Sequence, residues 1–390
     1  VEAAPRFHST CGIGHTRWAT HGGVSDLNSH PHTFGQITLI HNGIIENYHE
    51  IELQLAKEGK YPISQTDTEI AAMLMDSLYQ GDPIKTLNEV MKLIEGAYAF
   101  CILFADRPGE IYCLRNGSPL VATQCNEGSV IASDLVALIK YSKEYFVLPE
   151  KHIAILKKDS IAVLDSNDQV ITPKILVVNW DMSAAMKGGY PHYMLKEINE
   201  QPEALRSTIM PRVQKGNLPD LSNDQIPNDL LENVNRIIIT ACGTAMHAGL
   251  IGKVMFERLL RIPVAVEIAS EFRYMDPIMD EHTLVITISQ SGETADTLAA
   301  LRLAKEHHAK TLSIVNVKGS SIARESDYVF YTHAGPEIAV ASTKAYTAQL
   351  ACLYLLAFNF AMENGRIKED ECISHMNGLL QIIPAIEKTL

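Results

Sequence analysis

TLVITISQSGETADT, residues 283–297, decides the fold of the second half of this chain. Its first seven residues form a near-continuous apolar run without polar alternation, the pattern of a strand covered on both faces. Ser289, Gln290, Ser291, Gly292 and Thr294 follow at once, and a helix-forming stretch begins behind them. Small hydroxyl residues and glycine between a strand and a helix present free backbone N–H groups to an anion, often a phosphate. ACGTAMHAG (241–249) repeats the arrangement after RIIIT (236–240), with Cys242, Gly243 and Thr244 at the turn. Two such loops on neighbouring strands of one parallel sheet converge on one crevice, where open sheets place their ligands. PVAVEIA (263–269), TLSIVN (311–316) and YVFYT (328–332) supply further buried strands, separated by helices at 246–260, 294–307 and 342–362. The expected class here is an α/β parallel sheet. Ser342, at the head of the third helix, adds a hydroxyl on the same side. Glu293 suits a helix N-terminus and not an anion, so it is expected to point away. Cys242, with no histidine placed as its base, is expected to be structural.

Residues 1–178 read differently. QITLIHN (36–42), AYAFCILFA (97–105), EIYCLR (110–115), SVIASD (129–134), YFVLP (145–149), HIAILKK (152–158) and SIAVLD (160–165) are short strand candidates bounded by turn residues. Two helices interrupt them, one behind Thr66-Asp67-Thr68 and one behind Asp82-Pro83. This is a strand-dominated α+β unit. Within HTRWATHG (15–22), Arg17 offers the planar fork that clamps a carboxylate. Asn42-Gly43 closes a strand and can pair an amide with a backbone N–H as an oxyanion hole. Asp67, at a helix start, can receive an ammonium group. Together these describe an amino-acid site whose side-chain carbonyl is attacked. A capping aspartate and a turn Asn-Gly are also ordinary structural features, so the residues alone leave both readings open.

The 390 residues carry a formal net charge of −13 and no basic stripe, which excludes a nucleic-acid partner. Seven cysteines, an odd number without C-x-x-C, fit a reducing, cytoplasmic setting. No signal peptide is visible, no metal or cofactor motif is implied, and AYTAQLACLYLLAFNFAM (345–362) reads as a buried helix and not a membrane span. Four segments are expected: 1–178, an interdomain linker 179–232 with one helix at about 192–210, a domain 233–375, and the start of a further segment at 376–390. A chain that opens without methionine and meets a dense polar motif within twenty residues is expected to begin elsewhere.

HTRWATHG, HNGIIEN, QTDTE, RNGSPLV, ASD, KGGYPHYMLKEINEQP, ACGTAMH, EIASEFRY, SQSGETADT and VASTKAYTAQL, in this order, resemble the isomerising glutamine–fructose-6-phosphate aminotransferases, the glucosamine-6-phosphate synthases. The resemblance implies an N-terminal-nucleophile-type glutaminase sandwich of class II amidotransferase kind, followed by a sugar isomerase (SIS) domain. It implies that Arg17, Thr20 and His21 contact glutamine, that Asp67 holds its ammonium group, and that Asn42 and Gly43 form the oxyanion hole. Thr244, Ser289, Gln290, Ser291 and Thr294 would bind fructose 6-phosphate, with Val340 and Ser342 nearby. Two departures stand out. The family's nucleophile is an N-terminal cysteine, which Cys11 does not match, and its second SIS domain is not represented. This stretch alone is therefore expected to be inactive, as a chain truncated at both ends. Ala245 stands where the family often has serine. The parent is expected to be a homodimer that uses L-glutamine and fructose 6-phosphate without cofactor or membrane. Other class II amidotransferases, whose acceptor domain carries a pyrophosphate motif, and non-catalytic SIS sugar-phosphate binders are the alternatives.

Overall fold

The computed structural model describes residues 9–17, 21–178 and 186–390. The chain divides into two compact units, up to Asn179 and from Trp180 onward.

The first unit holds two antiparallel sheets. The larger runs in the order β1 (His32–Phe34), β2 (Ile37–Ile45), β3 (Gly96–Phe104), β4 (Ile111–Asn116), β8 (Ile153–Lys157), β9 (Ser160–Leu164) and β10 (Val170–Ile171). The smaller runs β11 (Leu176–Val177), β7 (Glu144–Val147), β5 (Val121–Cys125) and β6 (Gly128–Ala132). Alternation divides the large sheet's residues between two cores. Ile37, Leu39, Phe100, Ile102 and Leu114 pack against helices α1 (Tyr48–Lys57), α2 (Asp67–Leu78) and α3 (Pro83–Leu93). Ala99, Cys101, Cys113, Ala154 and Val163 pack with Leu120, Ala122, Phe146 and Leu148 of the region of the small sheet. The result is a two-sheet sandwich with helices on one face.

Two local features differ from expectation. Helix α1 was not foreseen, because its apolar face is narrow: only Ile51 and Leu55 are buried. Strand β2 does not close at Asn42-Gly43 but continues to Ile45, with Asn42 opposite Ala99 and Gly43 opposite Tyr98. Glycine permits this continuation. Gly43 sits at φ +141, and a Cβ there would stand 2.0 Å from the Ala97 carbonyl oxygen.

The second unit is built on a five-stranded parallel sheet in the order β13 (Val264–Ile268), β12 (Arg236–Ala241), β14 (Thr283–Ser289), β15 (Lys310–Val315) and β16 (Tyr328–Tyr331). Every residue of β14 is buried, which accounts for its unbroken apolar run. Leu284, Ile286 and Ile288 face the core shared with α6 (Gly243–Leu260) and α10 (Lys344–Glu363). Val285 faces Ala300 and Ala304 of α8 (Ala295–Glu306) on the opposite side, near α7 (Ala269–Phe272). The one polar side chain in the middle of the strand, Thr287, is satisfied by a hydroxyl chain through Ser313 and Ser326 to the Ile322 carbonyl of α9 (Ser321–Glu325).

Residues expected as an interdomain linker pack into this unit from Lys196 and Glu197 on, the first described residues of that stretch to be buried. The expected single helix is two, α4 (Tyr193–Asn199) and α5 (Gln201–Ile209). Pro202 explains the break: it has no N–H for the Ile198 carbonyl, and the Gln201 side-chain amide takes that carbonyl at 2.9 Å instead. Leu205 and Ile209 of α5, and Leu221, Ile226 and Leu230 behind it, join the main core. Helix α11 (Glu369–Thr389) runs through the expected boundary at 375/376 without a break.

Helix α10 has the length and composition of a membrane span, yet 72% of its most apolar window is buried inside the unit. Phe360 is 0% exposed there. Phe360→Ala is expected to cost about 3–5 kcal/mol in denaturant unfolding. A loss below about 1 kcal/mol would contradict a core role for α10.

Candidate active sites

In the first unit, a cavity of about 690 Å³ is lined by Arg17, His21, Asn42, Gly43 and Asp67. Of the predicted glutamine contacts only Thr20 lies outside the described residues, as does its neighbour Trp18. Gly14, His15, Thr16, His30, His41, Thr66, Thr68 and Ser133 complete the wall.

Asp67 opens α2 and is 3% exposed. Thr66, not Asp67, caps the helix, accepting from the Glu69 N–H. That frees the aspartate. Its Oδ2 accepts the Ile45 N–H at 3.0 Å and lies 3.8 Å from His41 Nδ1 and 4.0 Å from His21 Nδ1. A buried carboxylate with so little cationic compensation favours a bound ammonium. Arg17 adopts φ 45 and turns its guanidinium onto the carbonyls of His21, Gly22 and Gly23 at 2.6, 3.1 and 3.0 Å. An arginine has five N–H donors, so donors remain for a carboxylate in the cavity. Asn42 is exposed and Gly43 half-buried on the same rim.

Sequence reasoning named His21 but missed His15, His30 and His41. His30 Nδ1 accepts the His41 backbone N–H at 3.4 Å, which assigns the proton to Nε2 and lets it donate to Thr68 Oγ1 at 3.2 Å. The Thr68 hydroxyl then donates to His41 Nδ1 at 3.1 Å. His15 packs on His30 with ring centroids 4.5 Å apart. This chain requires neutral imidazoles. Burial holds His41 down at about 3, and burial with the neighbouring His15, His32 and His41 holds His30 at about 3. The only sequence signal was H-x-H at 30–32, too short to separate from chance.

In the second unit, strand order reverses between β12 and β14: the chain leaves β12 toward one face and β14 toward the other. Such a reversal is where open parallel sheets place a ligand crevice. Ala241 pairs with Ile288, so the Cys242–Thr244 and Gln290–Thr294 loops start side by side. Gly243 at φ 57 and Gly292 at φ 66 make the two turns. Ser289 Oγ accepts the Gly292 N–H at 3.0 Å and bonds Thr294 Oγ1 at 3.0 Å, which tightens the second loop. Ser291 Oγ accepts the Glu293 N–H at 3.2 Å and keeps its own proton to donate. Glu293 turns away to the Ser321 N–H at 2.8 Å, as expected. Thr244 stands exposed on the first turn of α6, and Ala245 beneath it is buried. Burial pushes the Cys242 thiol up, the opposite of what a nucleophile needs.

Val340 and Ser342 lie on the irregular segment 332–343 between β16 and α10. Asn316, which sequence reasoning also missed, ties this segment to the second loop. Its N–H donates to the Gln290 carbonyl at 3.2 Å, and its side chain holds Thr332, Ala334 and Gly335. Val340 is 83% exposed. The Ser342 hydroxyl donates to Glu337 at 2.9 Å, so its oxygen is left to accept from a ligand hydroxyl and not to donate to a phosphate.

Known protein families match the two units separately. The SIS domain profile matches residues 230–358, and the Glutamine amidotransferase domain profile matches residues 18–140. The chain thus joins an amidotransferase domain to a sugar-isomerase domain. It is 47% identical over 386 residues to glutamine–fructose-6-phosphate aminotransferase (isomerizing) of Caldanaerobacter subterraneus subsp. tengcongensis, covering 98% of this chain and 64% of that one. The protein of the same name from Clostridium tetani is 47% identical over 381 residues, covering 97% of this chain and 63% of the relative. A solved C-terminal domain of glucosamine-fructose-6-phosphate aminotransferase from Francisella tularensis is 42% identical, covering 51% of this chain and 56% of that domain at a TM-score of 0.49. Along nearly its whole length the chain is similar to these isomerising glutamine–fructose-6-phosphate aminotransferases. It spans less than two thirds of the length of these curated relatives.

The histidine chain makes acid stability measurable. A histidine held below its ordinary 6.5 in the fold binds fewer protons there than in the unfolded chain, so stability is lost as pH falls from about 6.5 toward about 3. Melting of the first unit between about pH 7 and about pH 4 should show that decline, and His30→Gln should make it shallower. An unchanged slope in the variant would contradict the assignment.

Proposed function

We propose that the protein to which this chain belongs transfers the side-chain amide nitrogen of L-glutamine to D-fructose 6-phosphate, giving D-glucosamine 6-phosphate and L-glutamate. One observation carries the reading: a single chain holds Arg17, Asn42, Gly43 and Asp67 around one cavity and, in its other unit, two glycine turns at the reversal of a parallel sheet.

In this reading Arg17 receives the α-carboxylate of glutamine and Asp67 its ammonium group, with Thr20 and His21 as further contacts. The two charged anchors fix the side chain so that its amide carbonyl lies at Asn42 and Gly43. The thiolate that the family resemblance calls for attacks that carbonyl. The Asn42 amide and the Gly43 N–H stabilise the tetrahedral oxyanion, the C–N bond breaks, and ammonia leaves with one added proton. Water then releases glutamate from the thioester. At the sugar site, the N–H groups of the two turns that the loops do not use themselves, the hydroxyls of Thr244 and Ser291, whichever of the bonded Ser289–Thr294 pair keeps a proton, and the Gln290 amide hold the phosphate. Ser342 accepts from a sugar hydroxyl beside Val340. Ammonia replaces the ketose oxygen as water, and proton transfer between C1 and C2 gives the amino sugar.

The reading includes a homodimer in the cytoplasm, without metal or cofactor. The exposed Leu250, Ile251 and Val254 on α6 support pairing, and seven unpaired cysteines support a reducing compartment.

Two substitutions in the natural full-length protein test the two sites separately. Arg17→Ala is expected to raise the glutamine KM strongly, with little change in fructose 6-phosphate affinity. Ser291→Ala should weaken fructose 6-phosphate binding by about 1–3 kcal/mol in a calorimetric titration, the scale of a lost charge-assisted hydrogen bond. Unchanged glutamine kinetics in the first variant, or unchanged sugar affinity in the second, would refute that site's assignment.

A further inference from the structure

The segment that carries Val340 and Ser342 has no regular structure, so its backbone N–H groups must find partners elsewhere. Three side chains supply them. Asn316 Oδ1 accepts from Ala334 at 2.9 Å. Glu337 Oε1 accepts from Thr343 at 2.8 Å and from Ala345 at 3.1 Å. Glu197 Oε1 accepts from Ile338 at 2.6 Å and from Ala339 at 3.1 Å. Asn316 and Glu337 belong to the sheet end and to the segment itself. Glu197 comes from α4, more than a hundred residues earlier in the chain.

Glu197 is 1% exposed and directs its charge onto two backbone amides, the strong form of hydrogen bond. Its neighbours in K-E-I-N-E-Q-P (196–202) grip the same region. Glu200 pairs with buried Lys344 at 2.7 Å and with Lys196 at 3.3 Å, and Gln201 accepts the Thr347 hydroxyl at 2.6 Å. Glu197 at the end of α4, Glu200 at the break and Gln201 at the start of α5 all reach the stretch between Ile338 and Thr347. Val340 thus stands exposed just after an anchored residue, Ala339, and shortly before a second anchor at Thr343. Its exposure is held, not loose.

We propose that Glu197 is a positioning residue for sugar-phosphate binding: it fixes the Ile338–Ala339 backbone so that Val340 and Ser342 are presented to the ligand before it arrives. This rests on the reading of the second unit as a fructose 6-phosphate site. Pre-organisation of this kind lowers the fraction of molecules that must rearrange on binding.

The test combines calorimetric titration with fructose 6-phosphate and hydrogen exchange at the amides of residues 336–343, on wild type, Glu197→Ala, Glu197→Gln and Ser291→Ala. If Glu197→Ala leaves about a tenth of molecules with a competent segment, the apparent Kd rises about tenfold. Faster exchange at Ile338 and Ala339 should accompany it. Glu197→Gln should fall between wild type and Ala in both readouts, because one amide oxygen can still accept from both N–H groups. Ser291→Ala should lose affinity without faster exchange in the segment. Wild-type affinity in Glu197→Ala overturns the proposal, and so does lost affinity with unchanged exchange. Should Glu197→Ala fail to fold, wild-type values for Glu197→Gln in both readouts overturn it. A wild-type protein that does not bind fructose 6-phosphate overturns the site reading, and the positioning role with it, whatever the exchange shows.

Discussion

A parallel strand buried on both faces has little room for polar side chains, and that constraint shapes the second unit from β14 outward. Leu284, Ile286 and Ile288 face one core and Val285 the other, so helices must cover both sides. Covering both sides forces the chain to leave β12 and β14 in opposite directions, the reversal at which open parallel sheets place a ligand crevice. Most of the polar groups are exiled to the last residue of the strand, Ser289, and to the turn beyond it. The proposed sugar-phosphate site therefore lies where the hydrophobic sheet runs out. Asn316 extends it to the segment before α10, and Glu197 secures that segment from the far side.

The first unit follows a different rule. An antiparallel strand alternates, and β2 uses that alternation to send His41 into the helix-covered core while Asn42 reaches the cavity rim. Gly43 lets the strand pass the Ala97 carbonyl without a clash. Asp67 then bonds the Ile45 N–H from the first turn of α2, so helix and strand are joined at the cavity by a carboxylate. The Thr68 hydroxyl repeats the device one residue later, between two neutral histidines. The same contacts that pack α2 on the sheet aim the charged group.

Much of this was legible in the sequence, for reasons that differ by residue. The two loops proposed for the phosphate were legible because glycine and hydroxyl residues directly after a buried strand are the pattern of an anion-binding helix N-terminus. Asn42, Gly43, Asp67 and Arg17 were legible as chemical types, and the fold brings all four to one cavity. The histidine chain was not, since His15, His30, His41 and Thr68 meet only through the pairing of β2 with α2 and the loop before β1. Glu197 and Asn316 escaped for a related reason: each serves backbone amides distant in sequence, and a carboxylate or amide in a helix-forming or strand-ending stretch looks like a surface residue. Helix α1 was missed because two buried side chains are too few to show a period. The break at Glu200 needed knowledge of which group takes the Ile198 carbonyl.

In the proposed reaction, one protein joins glutamine cleavage to sugar amination. This coupling is tested most directly by supplying the natural full-length protein with glutamine labelled with heavy nitrogen in its side-chain amide, together with fructose 6-phosphate, and weighing the sugar product by mass spectrometry. The account predicts glucosamine 6-phosphate carrying the heavy nitrogen. Glutamate released without labelled amino sugar would contradict it, leaving the amidotransferase half with a different acceptor.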